Sequence, residues 1–154
     1  KYPNLVILQT FSKAWGLAGI RLGMAFASIE IINLLNKVKP PYNINQLTQK
    51  VALEALKNQG KTLTYIEEIL NERTILQTAL LQLKIVVKIY PTDANFILVR
   101  FENPQEVYDF LVSKGIIIRD RSNVILCEDC LRITVGTKGE NNILLNSLNE
   151  FEYR

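Results

Sequence analysis

The hydrophobic period of this chain changes at Leu83. From Ile29 onward, apolar residues recur at helical spacing; past Leu83, "KIVVKIY" and "NFILVRF" have the pattern of strands. The last helical stretch, Lys61 to Leu83, is long. Leu63, Ile66, Leu70, Arg73, Leu76, Leu80 and Leu83 lie close to one of its faces. A helix of that length between two patterns reads as a connector between two lobes.

The first lobe opens on "LVILQT" (Leu5 to Thr10), a continuous apolar run that suits a strand in a parallel sheet covered on both faces. A parallel sheet needs neighbouring strands, and few are available. The chain also opens at Lys1 without an initiator methionine, so the expectation is the back half of a larger protein, cut inside a fold. "LGMAFAS" (Leu22 to Ser28) reads as a second buried strand, with Ser28 placed to cap the helix that follows. That helix carries Ile29, Ile32, Leu35 and Val38 and ends at Pro40-Pro41. A further helix runs from near Asn45 through Leu47, Val51 and Leu56 and is expected to stop at Gly60.

In the second lobe, Pro91-Thr92-Asp93 supplies turn chemistry between two strands. Asn103 then reads as a helix cap, with Pro104 at the first helical position and Glu106 three residues after the cap. Gly115 should end that helix. "IIIR" (Ile116 to Arg119) and "LRITVG" (Leu131 to Gly136) are further short strands, and a last helix occupies roughly Gly139 to Phe151. Strands, helix, strands, helix make a small α+β lobe.

Composition narrows the function classes. The 154 residues are 48% hydrophobic and 21% charged, as in an ordinary soluble globular protein. No apolar run approaches the roughly 20 residues that cross a bilayer, and the start has no signal-peptide pattern. The net charge of +3 is mild and its basic residues are interspersed with acidic ones, which argues against a nucleic-acid partner. The two cysteines form "CEDC", Cys127 to Cys130. A C-x-x-C pair can be redox-active or half of a zinc site, but with no His and no other Cys only nearby carboxylates such as Glu128 and Asp129 could complete a metal set. They read as plain reduced thiols of a cytoplasmic protein.

The segment richest in chemistry is "TFSKAWGLAGIRLG", Thr10 to Gly23. Lys13 follows a strand and precedes small residues at Ala14, Gly16, Ala18 and Gly19, which let backbone approach a ligand closely. Thr10 and Ser12 place hydroxyls beside the lysine, and Arg21 brings a forked donor suited to phosphate. One ligand could use all of these: a phosphorylated aldehyde, its carbonyl in a Schiff base with Lys13 and its phosphate held by Ser12, Thr10 and Arg21. The plain alternative is a solvated turn lysine. A Walker phosphate loop is excluded, because G-x-x-x-x-G-K-[ST] is absent.

"SKAWGLAGIRLG" resembles the pyridoxal-phosphate lysine segment of fold-type I aminotransferases. Those proteins carry Ser-x-Ser-Lys or Thr-x-Ser-Lys, a Gly/Ala-rich loop, and an arginine eight residues after the lysine; here Thr10-Phe11-Ser12-Lys13 and Arg21 match. The resemblance implies an α/β fold: the end of a large cofactor-binding domain (1–60), a connecting helix (61–83) and a small C-terminal α+β domain (84–154). It implies pyridoxal 5'-phosphate as cofactor, joined to Lys13, with Thr10, Ser12 and Arg21 on its phosphate. "KGIIIRD", "LRITVGTKGEN", "PYNIN" and "TDANFILVR" are similar to segments of the histidinol-phosphate aminotransferase family, so the resemblance covers nearly the whole chain. It implies that Arg132 binds the substrate α-carboxylate and that Arg119 contributes to the substrate phosphate. Two planar cations would then anchor the opposite ends of one substrate and fix the reacting carbon. Two alternatives stand: Arg119 pairing with Asp120 on the surface, and Arg121 as the phosphate contact. Asn95 is a further candidate to line the site.

The implied reaction moves an amino group from a small-molecule donor to 2-oxoglutarate, with Lys13 as general base and then general acid at the substrate α-carbon. The family also places an acidic partner for the pyridine nitrogen and a stacking aromatic ring ahead of the lysine. Only twelve residues precede Lys13 here and none is acidic, so the chain is expected to carry about half of an active site and to be inactive alone. The parent is expected to be a cytoplasmic homodimer. Other readings are an aromatic or broad-specificity aminotransferase, a phosphothreonine decarboxylase-like enzyme, or, from a different class, a non-catalytic binding or assembly module.

Overall fold

The apolar run near the start forms strand β1 (Ile7–Thr10), and "LGMAFAS" forms β2 (Gly23–Phe26). These elements belong to a computed structural model that describes residues 2–154. The two strands pair antiparallel, Ile7 opposite Phe26 and Thr10 opposite Gly23. This differs from the expected parallel, doubly covered setting: β1 is exposed along its length, with Leu8 at 78%. An apolar run reports the burial a strand is built for, whereas its direction is set by the partner it finds, here the other arm of its own hairpin.

Helix α1 (Ile29–Val38) follows, with Ser28 at the N-cap position in extended backbone. The Ser28 side chain makes no capping bond to the helix. Helix α2 (Gln46–Lys57) is capped as expected: the Asn45 side chain accepts from the Thr48 N–H at 2.9 Å. It ends at Asn58 rather than at Gly60. The Asn58 amide donates to the Glu54 carbonyl, so a side chain closes the last turn and Gly60 falls inside α3 (Gln59–Leu80).

Two compact units divide the chain, the first ending at Ile66 and the second running from Glu67 to Arg154. In the second, β3 (Val86–Ile89), β4 (Phe96–Phe101), β5 (Arg119–Asp120) and β6 (Cys130–Thr134) form one antiparallel sheet in the order β3-β4-β6-β5. Helix α4 (Pro104–Ser113) links β4 to β5, and α5 (Lys138–Glu152) closes the chain.

Alternation along β4 and β6 decides where the core sits. Ile97, Val99 and Phe101, with Leu131 and Ile133, turn to the helices and are buried. Leu76, Leu80 and Leu83 after α3's midpoint, Val107 and Leu111 of α4, and Leu144 and Leu148 of α5 complete the cluster. Each such side chain contributes roughly 1.5–3 kcal/mol by leaving water. The α3 stripe is therefore only half used, since Leu63 and Leu70 at its start are exposed.

Two helix ends in this unit are closed by recognisable chemistry. Gly115 takes φ +76°, while Ile116 N–H reaches the Leu111 carbonyl at 2.9 Å and Gly115 N–H that of Val112. That is a Schellman stop, which only a residue tolerant of left-handed backbone accepts cheaply. At α5 the Thr137 side chain accepts from Glu140 N–H, and the Glu140 carboxylate accepts from Thr137 N–H at 2.7 Å. Asn103, by contrast, occupies the α4 cap position without a side-chain capping bond, and Pro104 alone starts the helix.

Candidate functional site

Thr10 ends β1, and Ser12, Lys13 and Arg21 lie on the loop that joins it to β2, so all four belong to one feature. Thr10 Oγ1 donates to Ser12 Oγ at 2.8 Å and accepts from the Ser12 N–H at 3.0 Å, so the two hydroxyls are held side by side. Lys13 begins a tight turn: its carbonyl accepts from Gly16 N–H at 2.8 Å, and Gly16 takes φ +65°. Phe11 anchors this turn. It is buried, packs on Trp15 with ring centroids 5.4 Å apart, and its carbonyl accepts from Leu17 N–H. Lys13 itself is exposed.

A short 3-10 turn, Ala18–Ile20, leads to Arg21, whose backbone is left-handed at φ 53°. A left-handed non-glycine residue is uncommon and is tolerated only where its surroundings fix it. Here Arg21 Nη1 donates to the Ala18 carbonyl at 3.1 Å, and Thr48 of α2 donates to the Ile20 carbonyl at 3.3 Å. The buried Thr48 thus ties helix α2 to the loop, a role that no sequence motif marked.

The second unit holds the other two candidates. Arg119 and Arg132 face each other across β5 and β6, and Leu98 of β4 pairs with Arg132 on its other side. They occupy the sheet face opposite the helices. Neither takes part in an ion pair among the described residues. The Arg132 guanidinium stacks over the Phe96 ring at 5.0 Å, and its Nε is buried without a hydrogen-bond partner among the described residues. Phe96 was not singled out from the sequence, though alternation along "NFILVRF" places it on the Leu98 face.

The two alternatives for Arg119 also acquire positions. The Asp120 carboxylate accepts from Ser122 N–H at 2.8 Å, which holds its pKa below the usual value, and it does not pair with Arg119. Arg121 N–H donates to the Cys130 carbonyl at 2.9 Å, so the ladder continues one residue beyond β5 and places Arg121 two residues past Arg119 on the same face. Asn95 contributes its backbone carbonyl to Val135 N–H.

These two clusters combine a primary amine with hydroxyls and a guanidinium on one loop, and an opposed guanidinium pair on one sheet. The family model "Aminotransferase class I and II" matches residues 1–148. The histidinol-phosphate aminotransferase of Cytophaga hutchinsonii is 55% identical over 151 residues, which is 98% of this chain and 43% of that protein. The chain therefore spans under half the length of this relative. Among solved structures, L-threonine-O-3-phosphate decarboxylase from Porphyromonas gingivalis matches with TM-score 0.83 at 26% identity, over 99% of this chain and 48% of that one. Histidinol-phosphate aminotransferase from Sinorhizobium meliloti, in complex with pyridoxal-5'-phosphate, matches with TM-score 0.80 at 26% identity, over 98% and 42%. No helix among the described residues is long and apolar enough to cross a membrane. The chain belongs to the class I and II aminotransferase family, and its mixed α/β fold is that of part of a fold-type I enzyme.

Proposed function

We propose that this chain is the C-terminal part of a pyridoxal-phosphate-dependent aminotransferase that acts on histidinol phosphate and 2-oxoglutarate. The observation that carries the reading is the donor set of the β1–β2 loop, combined with 55% identity to a histidinol-phosphate aminotransferase. A phosphorylated aldehyde needs an amine for its carbonyl and short donors for its phosphate. Lys13 is the exposed amine; Thr10, Ser12 and Arg21 are the donors, and the residues present fit the group. When bound, pyridoxal phosphate supplies an electron sink that stabilises negative charge at the substrate α-carbon.

The chain's own residues do the rest. Lys13, as a free amine, would take the proton from the substrate α-carbon as general base and hold it as the ammonium, ready to serve as general acid. Thr10 and Ser12 present paired hydroxyls to the phosphate, and Arg21 neutralises its charge. Arg119 and Arg132 bind the substrate's anion. Histidinol phosphate carries one phosphate and no carboxylate, and two strand neighbours roughly 5 Å apart suit one shared dianion better than two ends of a molecule. In the other half-reaction the same pair receives a carboxylate of 2-oxoglutarate. The orphaned Arg132 Nε is the buried donor such an anion would satisfy.

On this reading the first unit is the end of the large domain and the second is the small domain. The parent works as a cytoplasmic homodimer. A second reading is supported by the similarity to L-threonine-O-3-phosphate decarboxylase, whose substrate also carries a phosphate. The test expresses the full reading frame that contains this chain, adds pyridoxal phosphate, reduces with borohydride and maps the adduct. The proposal expects one adduct, on Lys13, and transamination of histidinol phosphate by 2-oxoglutarate. Label scattered over exposed lysines would overturn it, and carbon dioxide release from phosphothreonine without transamination would favour the decarboxylase.

A further inference from the structure

The loop that joins β5 to β6 is built from three successive tight turns. Val124 N–H donates to the Arg121 carbonyl, Cys127 N–H to that of Val124, and Cys130 N–H to that of Cys127 at 3.0 Å. The last of these turns starts and ends on a cysteine. A hydrogen-bonded four-residue turn brings its end Cα atoms within about 7 Å, and a disulfide needs them roughly 4.4–6.8 Å apart.

The turn is pinned from outside. Asp129, its third residue, has φ 59° and is held by a 3.0 Å ion pair from Arg100 of β4. Glu128 accepts from Leu126 N–H at 3.2 Å, and Arg121 N–H closes the loop on the Cys130 carbonyl. Access to the two sulfurs is unequal. Cys130 is buried, with its thiol directed to the Glu128 carbonyl at 3.4 Å, whereas Cys127 is half-buried. Burial pushes the Cys130 thiol above its usual range, and nearby Cys127 adds to that shift against the Tyr90 hydroxyl and Arg100.

We infer that Cys127 and Cys130 are a preorganised dithiol that closes to an intramolecular disulfide when it meets a small disulfide oxidant. The structure holds both cysteines as free thiols, in keeping with the sequence reading, and the inference stands independently of the aminotransferase reading. Cys127, the reachable sulfur, attacks as thiolate on one sulfur of glutathione disulfide; a mixed disulfide forms and one glutathione thiolate leaves. Cys130, deprotonated, then attacks the Cys127 sulfur and expels the second glutathione thiolate. The two cysteine protons end on the two released glutathiones. The protein loses two electrons and the glutathione disulfide gains them. The new bond lies on the strand that carries Arg132, two residues from it.

The experiment equilibrates the chain with reduced and oxidised glutathione, quenches with acid, and digests with trypsin. Cleavage after Arg121 and Arg132 leaves both cysteines on one peptide, Ser122 to Arg132. The expected product is that peptide lighter by two hydrogens, with an equilibrium constant at least about tenfold larger in the folded chain than in denaturing urea. In Cys127→Ser, the buried Cys130 should take up iodoacetamide far more slowly when folded than when unfolded. Equal constants folded and in urea, a lasting glutathione adduct on Cys127, or disulfide-linked dimers would each overturn the inference.

Discussion

Arg119 and Arg132 stand directly opposite each other across the β5–β6 ladder, on the sheet face that the helices leave open. Like charges so placed repel, and neither is relieved by an ion pair among the described residues. A pair of this kind is a cost to the sheet that an anion would remove. Arg119→Gln should therefore raise the melting temperature of the chain by roughly one to a few degrees in low salt, with the gain fading as ionic strength rises. The same variant in the full-length protein should bind histidinol phosphate more weakly. Scanning calorimetry at two salt concentrations, together with KM, checks both halves; a less stable variant would mean that the arginines are not in repulsion.

The Arg132 guanidinium lies over the Phe96 ring at 5.0 Å, and Lys reproduces neither its planar charge nor its forked donors. Arg132→Lys in the full-length enzyme is expected to raise KM for histidinol phosphate by about tenfold or more. Phe96→Leu, which keeps the charge but removes the ring beneath it, should give a smaller rise in the same direction. Unchanged KM in both variants would remove Arg132 from the substrate site.

The Thr137–Glu140 box at the start of α5 makes stability depend on pH. The backbone bond from Thr137, aided by its side chain, lowers the Glu140 pKa from its ordinary 4.5. A carboxylate depressed on folding stabilises the fold above the unfolded value and loses that contribution as pH falls through the folded one. Thr137→Ala should cost about 1 kcal/mol near neutral pH, and the deficit should shrink below pH 4.5 as Glu140 is protonated in both proteins. Urea titrations at neutral and acid pH measure this directly. A deficit constant with pH would mean that the carboxylate plays no part in the cap.

Leu80 is fully buried where the end of α3 meets the sheet. Leu80→Ala is expected to cost about 2–5 kcal/mol. The loss should appear as faster amide exchange throughout the second unit, with β1, β2 and α2 unaffected, because the core cluster and the side chains packed against it begin at Ile69, inside the second unit. Equal acceleration in both units would show them to unfold as one.

Much of the second unit was legible in the sequence because local chemistry and the hydrophobic pattern agree there. The period change at Leu83, the alternation in "NFILVRF" and the glycine stop at Gly115 each depend on a few neighbouring residues, and the structure follows them. The lysine loop stood out for a different reason: the chemistry proposed for it needs particular residue types in a short stretch, and Thr10, Ser12, Lys13 and Arg21 are all within one.

Where the outcome rested on partners distant in the chain, sequence reasoning ran out. The pattern of "LVILQT" announced a strand, but whether β1 ran parallel or antiparallel depended on which strand paired with it. Asn103 and Ser28 had the right chemistry for caps, yet cap bonds require side-chain angles that only packing sets. The register that brings Arg119 against Arg132, the ring of Phe96 under a guanidinium and the Arg100–Asp129 pair over the cysteine turn are all cross-strand relations. The sequence by itself determined which groups this protein can bring to a site; the tertiary structure alone decided which of them meet, because register and burial are fixed by contacts between residues far apart in the chain.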